Sequence, residues 1–142
     1  PKVCAELIGS SGKGLRLGAY GDPAAVPVHI WQMLVRSAVF RTGYTHQWKR
    51  FPGLRGLVMA SVDSVSESEE ATRRGWKYFR IEPKGEIFSQ RIRGEARCPA
   101  SEEAGQKVTC ATCQIKCDGV GSLLGRVIKA HGRNGKNFLE AV

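Results

Sequence analysis

Four of the five cysteines fall between positions 98 and 117: Cys98, Cys110, Cys113 and Cys117, with the last three spaced Cys-x-x-Cys-x-x-x-Cys. The fifth is Cys4. This cluster restricts the fold more than any other feature. Residues 94–122 around it are rich in Cys, Gly and charge and poor in apolar side chains. Such a stretch cannot order itself by burial, whereas a bound metal supplies on the order of 10 kcal/mol. An odd cysteine count with no basic-then-apolar leader argues against a secreted disulfide scaffold. A cytoplasmic chain with a metal-binding loop is therefore expected, in which Cys98, Cys110, Cys113 and Cys117 are the ligands. Thiolates are soft and select zinc or an iron–sulfur cluster, and the spacing does not separate the two. Lys116 and Arg97 lie beside the ligands and offset thiolate charge.

The remainder reads as one α/β domain of 142 residues, with 42% hydrophobic and 25% charged residues, ordinary for a globular chain. No apolar run approaches the roughly 20 residues of a membrane span. Strands are expected at 15–20, 42–46, 57–62, 76–81, 86–92 and 127–130. Helices are expected from Pro27 to Val39, where apolar residues recur at fours, and from Glu67 to Arg74, behind a Ser66-x-x-Glu69 capping box and before Gly75. Ser10 to Gly14 reads as a flexible turn. The near-continuous apolar run Leu57 to Ala60 suits a strand covered on both faces. Alternating elements imply a short, mainly parallel sheet resembling a partial βα barrel. The parts are an α/β core at 15–93, the cysteine loop at 94–122, and a last strand and tail at 123–142.

In parallel sheets ligands bind at the carboxyl ends of the strands. Those ends carry Asp22, His46, Ser61 to Ser64 with Asp63, and His131. Asp22, His46, Asp63 and His131 are the candidate catalytic residues, although each is also a plausible turn cap or structural histidine. The net charge of +9 favours polyanions. Candidate nucleic-acid contacts are Arg73, Arg74, Arg91, Arg93, Lys129, Arg133 and Lys136, with Trp31, Trp48 and Trp76 available for stacking. There is no nucleophile triad, no phosphate-binding glycine loop and no zinc-protease motif.

Several strings, at 15–27 (LRLGAYGDPAAVP), 42–48 (TGYTHQW), 59–64 (MASVDS), Gly75-Trp76 with Phe79-Arg80, 98–105 (CPASEEAG), 109–113 (TCATC) and 128–132 (IKAHG), resemble a family carried by phages and plasmids. It is similar to the phage "gene product eighty-eight" group, which shares the Gly-Asp strand end, the Cys-x-x-Cys loop and a terminal His-Gly. The resemblance implies architecture and a phage or mobile-element context, with no settled activity. It also implies a further cysteine group ahead of the Gly-Asp strand. Only Cys4 stands there, as in a naturally short version or in a fragment lacking an N-terminal segment. Relatives have two residues where three separate Cys113 and Cys117, so Cys117 is the least secure ligand.

Three functions follow as expectations. The first is a metal-cluster protein of radical-enzyme-like design with a substrate at the strand ends; the radical S-adenosylmethionine order Cys-x-x-x-Cys-x-x-Cys appears here with its gaps reversed. The second is a zinc-stabilised nucleic-acid-binding module. The third is an interaction protein that inhibits a host complex.

Overall fold

The computed structural model describes residues 2–83, 92–121 and 124–130. Among these are six strands, β1 (Leu15–Leu17), β2 (Arg41–Thr45), β3 (Met59–Val62), β4 (Tyr78–Glu82), β5 (Glu95–Arg97) and β6 (Gly125–Lys129). The helices are α1 (Lys2–Ser11), α2 (Val28–Val35) and α3 (Val65–Arg73). The strands form one sheet in the order β1-β2-β3-β4-β6-β5, parallel at every pairing. The sheet is open, with β1 and β5 at its edges, and does not close into the barrel-like arrangement expected from the alternation.

The order explains the two layers over the sheet. From β1 to β4 each strand lies beside the previous one, so right-handed crossovers place their connections on one face. The chain then steps past β6 to β5 and turns back, so the β5–β6 connection belongs on the other face. The packing agrees. One face buries Leu17, Ala60, Val62 and Tyr78 with Trp48, Leu54, Ala71 and Trp76 in a single core, against which Val28, Trp31 and Val35 of α2 pack. The opposite face carries Thr42, Tyr44, Met59 and Arg126, and these residues meet the cysteine loop. All four residues of β3 are buried, as its apolar run led one to expect of a strand covered on both sides.

Local chemistry sets the boundaries. The expected helix from Pro27 to Val39 stops at Val35, because Val39 N donates instead to Lys13 O at 3.3 Å as the chain turns into β2. The second capping box is displaced by two residues. Ser64, extended at φ −143° and ψ 164°, caps α3 by accepting from Glu67 N at 3.2 Å. The Glu67 carboxylate reaches back to Asp63 N. Two overlapping Ser-x-x-Glu boxes compete here, and the first prevails because β3 has just ended. Gly75, at φ +75°, closes α3 as expected. Helix α1 was not anticipated; it rests on α2 and buries none of its residues. Strand β5 lies in the stretch expected to be irregular. The expected strand at 86–92 falls outside the described residues except for Ile92, which is not in a strand.

Two features stabilise the far end of the sheet. Gly125 leaves room for the Tyr78 ring, which a side chain there would strike at 2.1 Å. A buried ionic network spans β4, β5 and β6. Arg80 donates to both oxygens of Glu95, Nε to Oε1 at 2.9 Å and Nη2 to Oε2 at 2.6 Å. It also donates to Glu82 at 2.7 Å, and Lys129 reaches the other Glu82 oxygen at 3.0 Å.

Candidate metal centre and the carboxyl rim

The cysteine loop is built from turns. Cys98 follows β5 directly, and its N–H donates to Val127 O at 3.0 Å. Ser101 N closes the next turn on Cys98 O at 3.1 Å. The Cys-x-x-Cys stretch is a hydrogen-bonded turn in which Cys113 N donates to Thr109 O at 2.8 Å and Thr112 Oγ1 accepts from Thr109 N. Lys116 Nζ holds this turn through Cys110 O and Ala111 O and lies 4.2 Å from the centre of the Phe40 ring. The loop is anchored to the sheet where Gly43 N donates to Cys117 O at 3.1 Å, and where Arg41 donates to Gly56 O at 2.7 Å and Asp118 O at 3.4 Å. Gly119, at φ +79°, lies so close to β3 that a Cβ would stand 2.4 Å from Val58 O.

This folding gathers all four late cysteines. Cys98, Cys110, Cys113 and Cys117 line one cavity of about 20 Å³ together with Thr42, Tyr44, Lys116 and Arg126. All four are free thiols, as is the exposed Cys4 on α1. The Cys113 thiol donates to Ile115 O at 3.2 Å. Among the described residues no three His, Cys, Asp or Glu side chains are arranged at ligand spacing. Burial pushes the Cys117 thiol up to about 11; the Tyr44 hydroxyl and Arg126 pull it down, and Cys98 and Cys110 add to the rise. Burial also raises Cys98, with Cys110 and Cys113 adding. The hydroxyl of Tyr44 is raised by its own burial and then by Cys117.

Two polar groups beside the thiols are sparsely partnered. Thr42 Oγ1 is buried and has no hydrogen-bond partner among the described residues. Arg126 is only 3% exposed, yet among the described residues its side chain makes one hydrogen bond, from Nη1 to Gly125 O at 3.5 Å. No carboxylate pairs with it among the described residues, in contrast to Arg80 on the neighbouring strand β4. Sequence reading missed Arg126. Its signal was a cation inside the apolar run of β6, the same signal that Arg80 gives in β4.

The strand ends of β1, β2 and β3 form the second constellation. Asp22 is saturated: Oδ1 accepts from Ala24 N at 2.8 Å and Thr45 Oγ1 at 2.7 Å, and Oδ2 from His46 N at 2.8 Å. Burial alone would raise its pKa, but these hydrogen bonds and the nearby His46 hold it below the usual value. Asp22 thus ties the β1 turn to the end of β2 and is a cap. The exposed His46 ring points across the rim, with Nε2 at 3.1 Å from Ser61 Oγ. Asp63 follows on β3; burial raises its pKa, Glu67 adds, and His46 opposes. Asp22, His46 and Asp63 therefore share one edge, and Ser61 joins them. His131 lies outside the described residues.

Among the described residues the candidate nucleic-acid contacts are not all at the surface. Arg73 and Arg93 are exposed. Arg74 pairs with Glu70 at 2.6 Å and lies 5.7 Å from the centre of the Trp48 ring. Lys129 is withdrawn from the surface, 5% exposed and ion-paired with Glu82, because β6 is a central strand covered on that face. Arg91, Arg133 and Lys136 lie outside the described residues. The tryptophans are not available for stacking either. Trp48 and Trp76 are core residues, and Trp31 donates its Nε1–H to Pro23 O at 2.8 Å.

Among the described residues no helix is long and apolar enough to cross a membrane. Comparison with known proteins found no family model, no curated protein and no solved structure that matches the chain.

Proposed function

We propose that the chain is a metal–thiolate protein in which Cys98, Cys110, Cys113 and Cys117 hold a single divalent ion, zinc by preference, and that the ion fixes residues 98–121 on the sheet. The observation that carries this reading is the shared cavity: four free thiols beside a buried arginine with no carboxylate partner among the described residues. An uncompensated buried cation is costly. Four thiolates around one divalent ion leave a net double negative charge, which Arg126 and Lys116 are placed to offset. Binding would release the thiol protons that burial otherwise retains.

Elemental analysis and an absorbance spectrum of protein purified without oxygen test the proposal. About one zinc per chain in a colourless protein is expected, with the zinc lost in Cys98→Ser and Cys113→Ser. Absence of zinc, or zinc retained in both variants, overturns the reading. Iron with visible sulfur-to-iron absorption would overturn it in favour of the cluster and of the radical-type chemistry that goes with it. Nucleic-acid binding rests on Arg73 and Arg93 alone among the described candidates, and the tryptophans give it no support.

A further inference from the structure

A second cavity, of about 450 Å³, adjoins the thiol cavity and shares Ile115, Lys116 and Arg126 with it. It opens on the sheet face that the cysteine loop covers. Its apolar wall is Met59, Ile115 and Val120, and its polar lining is Gln114, Lys116, Asp118 and Arg126. Two of these polar groups are already engaged within the loop. Lys116 Nζ is held by Cys110 O and Ala111 O, and Asp118 Oδ1 accepts from Val120 N at 3.0 Å. Among the described residues Arg126 is not engaged in this way, having only the long bond to Gly125 O.

We propose that this cavity binds a small oxyanion, a carboxylate or a phosphate monoester with a short apolar body, anchored by the Arg126 guanidinium. The chemistry follows from the lining. A guanidinium presents N–H donors in a planar fork that matches carboxylate and phosphate oxygens. A buried fork without an anionic partner is an incomplete site. Met59, Ile115 and Val120 then receive hydrocarbon, and the volume is in the range of small-molecule sites. Arg126 lines both cavities, so the bound anion and the thiols would share one side chain. An anionic metal–thiolate centre would compete with the bound oxyanion for the same guanidinium, so anion affinity should be higher in metal-free protein than in metal-loaded protein.

Amide and arginine Nε–H resonances, followed while the full chain is titrated, test it. The probes are inorganic phosphate, butyl phosphate, butyrate, hexanoate and a single-stranded oligonucleotide. Saturable shifts at Arg126 and Val120 are expected with the small anions, and affinity should rise about threefold for each added methylene. Arg126→Gln should weaken binding by about 10- to 100-fold. Val120→Trp, which fills the cavity mouth without touching the guanidinium, should abolish binding while the metal content of the protein stays unchanged. Shifts spread evenly over exposed lysines and arginines, binding by the oligonucleotide alone, or equal affinity in Val120→Trp would each overturn the proposal. Loss of metal with retained anion binding would sink the thiolate reading and leave this one intact.

Discussion

Charges that interrupt apolar runs carry much of the information in this chain. Arg80, Arg126 and Lys129 all occur inside strands, where periodicity alone assigns such residues to a wet face. All three are buried. Arg80 and Lys129 are compensated by Glu82 and Glu95; the strand period announces the Arg80–Glu82 pair, but no local spacing announces Arg80–Glu95 or Lys129–Glu82, which join separate strands. Arg80→Met should therefore destabilise the fold by about 3–5 kcal/mol, because it strands the Glu95 carboxylate in the interior; urea unfolding measures this. Asp22 teaches the converse lesson. It was legible as a strand-end carboxylate, but its partners Thr45 and His46 made it a structural tie. Asp22→Asn should cost about 1 kcal/mol at neutral pH, because it removes the charge and sets an NH2 group against the donors that Asp22 now accepts from. Because the folded pKa of Asp22 is lowered, its contribution is present above the usual carboxylate value of 3.8 and is lost as pH falls through the lower folded value. Unfolding curves at pH 7 and pH 3 should converge for wild type and variant at the acid end, and a constant gap would refute the assignment.

At the level of elements, the long apolar stripes and the turn glycines were readable, and the edges were not. Strands β2, β3, β4 and β6 lie within two residues of their expected positions, carried by β-branched and aromatic residues in short runs bounded by turn signals. Strand β5, with the sequence Glu-Ala-Arg, has no such content and exists because β6 offers it a free edge. Helix α3 separates two nearly identical capping boxes. Ser64→Ala should lower stability by about 1 kcal/mol, whereas Ser66→Ala should change it by a few tenths at most; thermal melts of the two variants decide which box operates. The cysteine loop was legible as a unit, yet its contacts were not. Gly119 reads as one more flexible glycine in the sequence, but it lies against Val58 O. Gly119→Ala should detach the loop exit, seen as faster amide exchange at Cys117 and Gly43, whose backbones are joined there.

For the whole molecule, the fold class could be argued from alternation, whereas the sheet order could not. Nothing local in the sequence says that the sixth strand inserts between the fourth and the fifth. That single step puts the cysteines on the face opposite the helices. If the thiols hold an ion, chelation should loosen residues 98–121 and leave the helix-covered core protected, a division that hydrogen exchange would map. Uniform protection before and after chelation would contradict it.

The insertion of β6 has one more outcome. The two coats of this sheet are held on by different forces, hydrocarbon contact on one side and a few anchoring hydrogen bonds on the other. Loosening of the loop would thus open the molecule from one side only, baring the Tyr44–Phe79 ring pair and Met59. A parallel sheet with one naked apolar face tends to self-associate, so whatever secures the loop, the proposed ion included, would govern how long this protein stays dispersed.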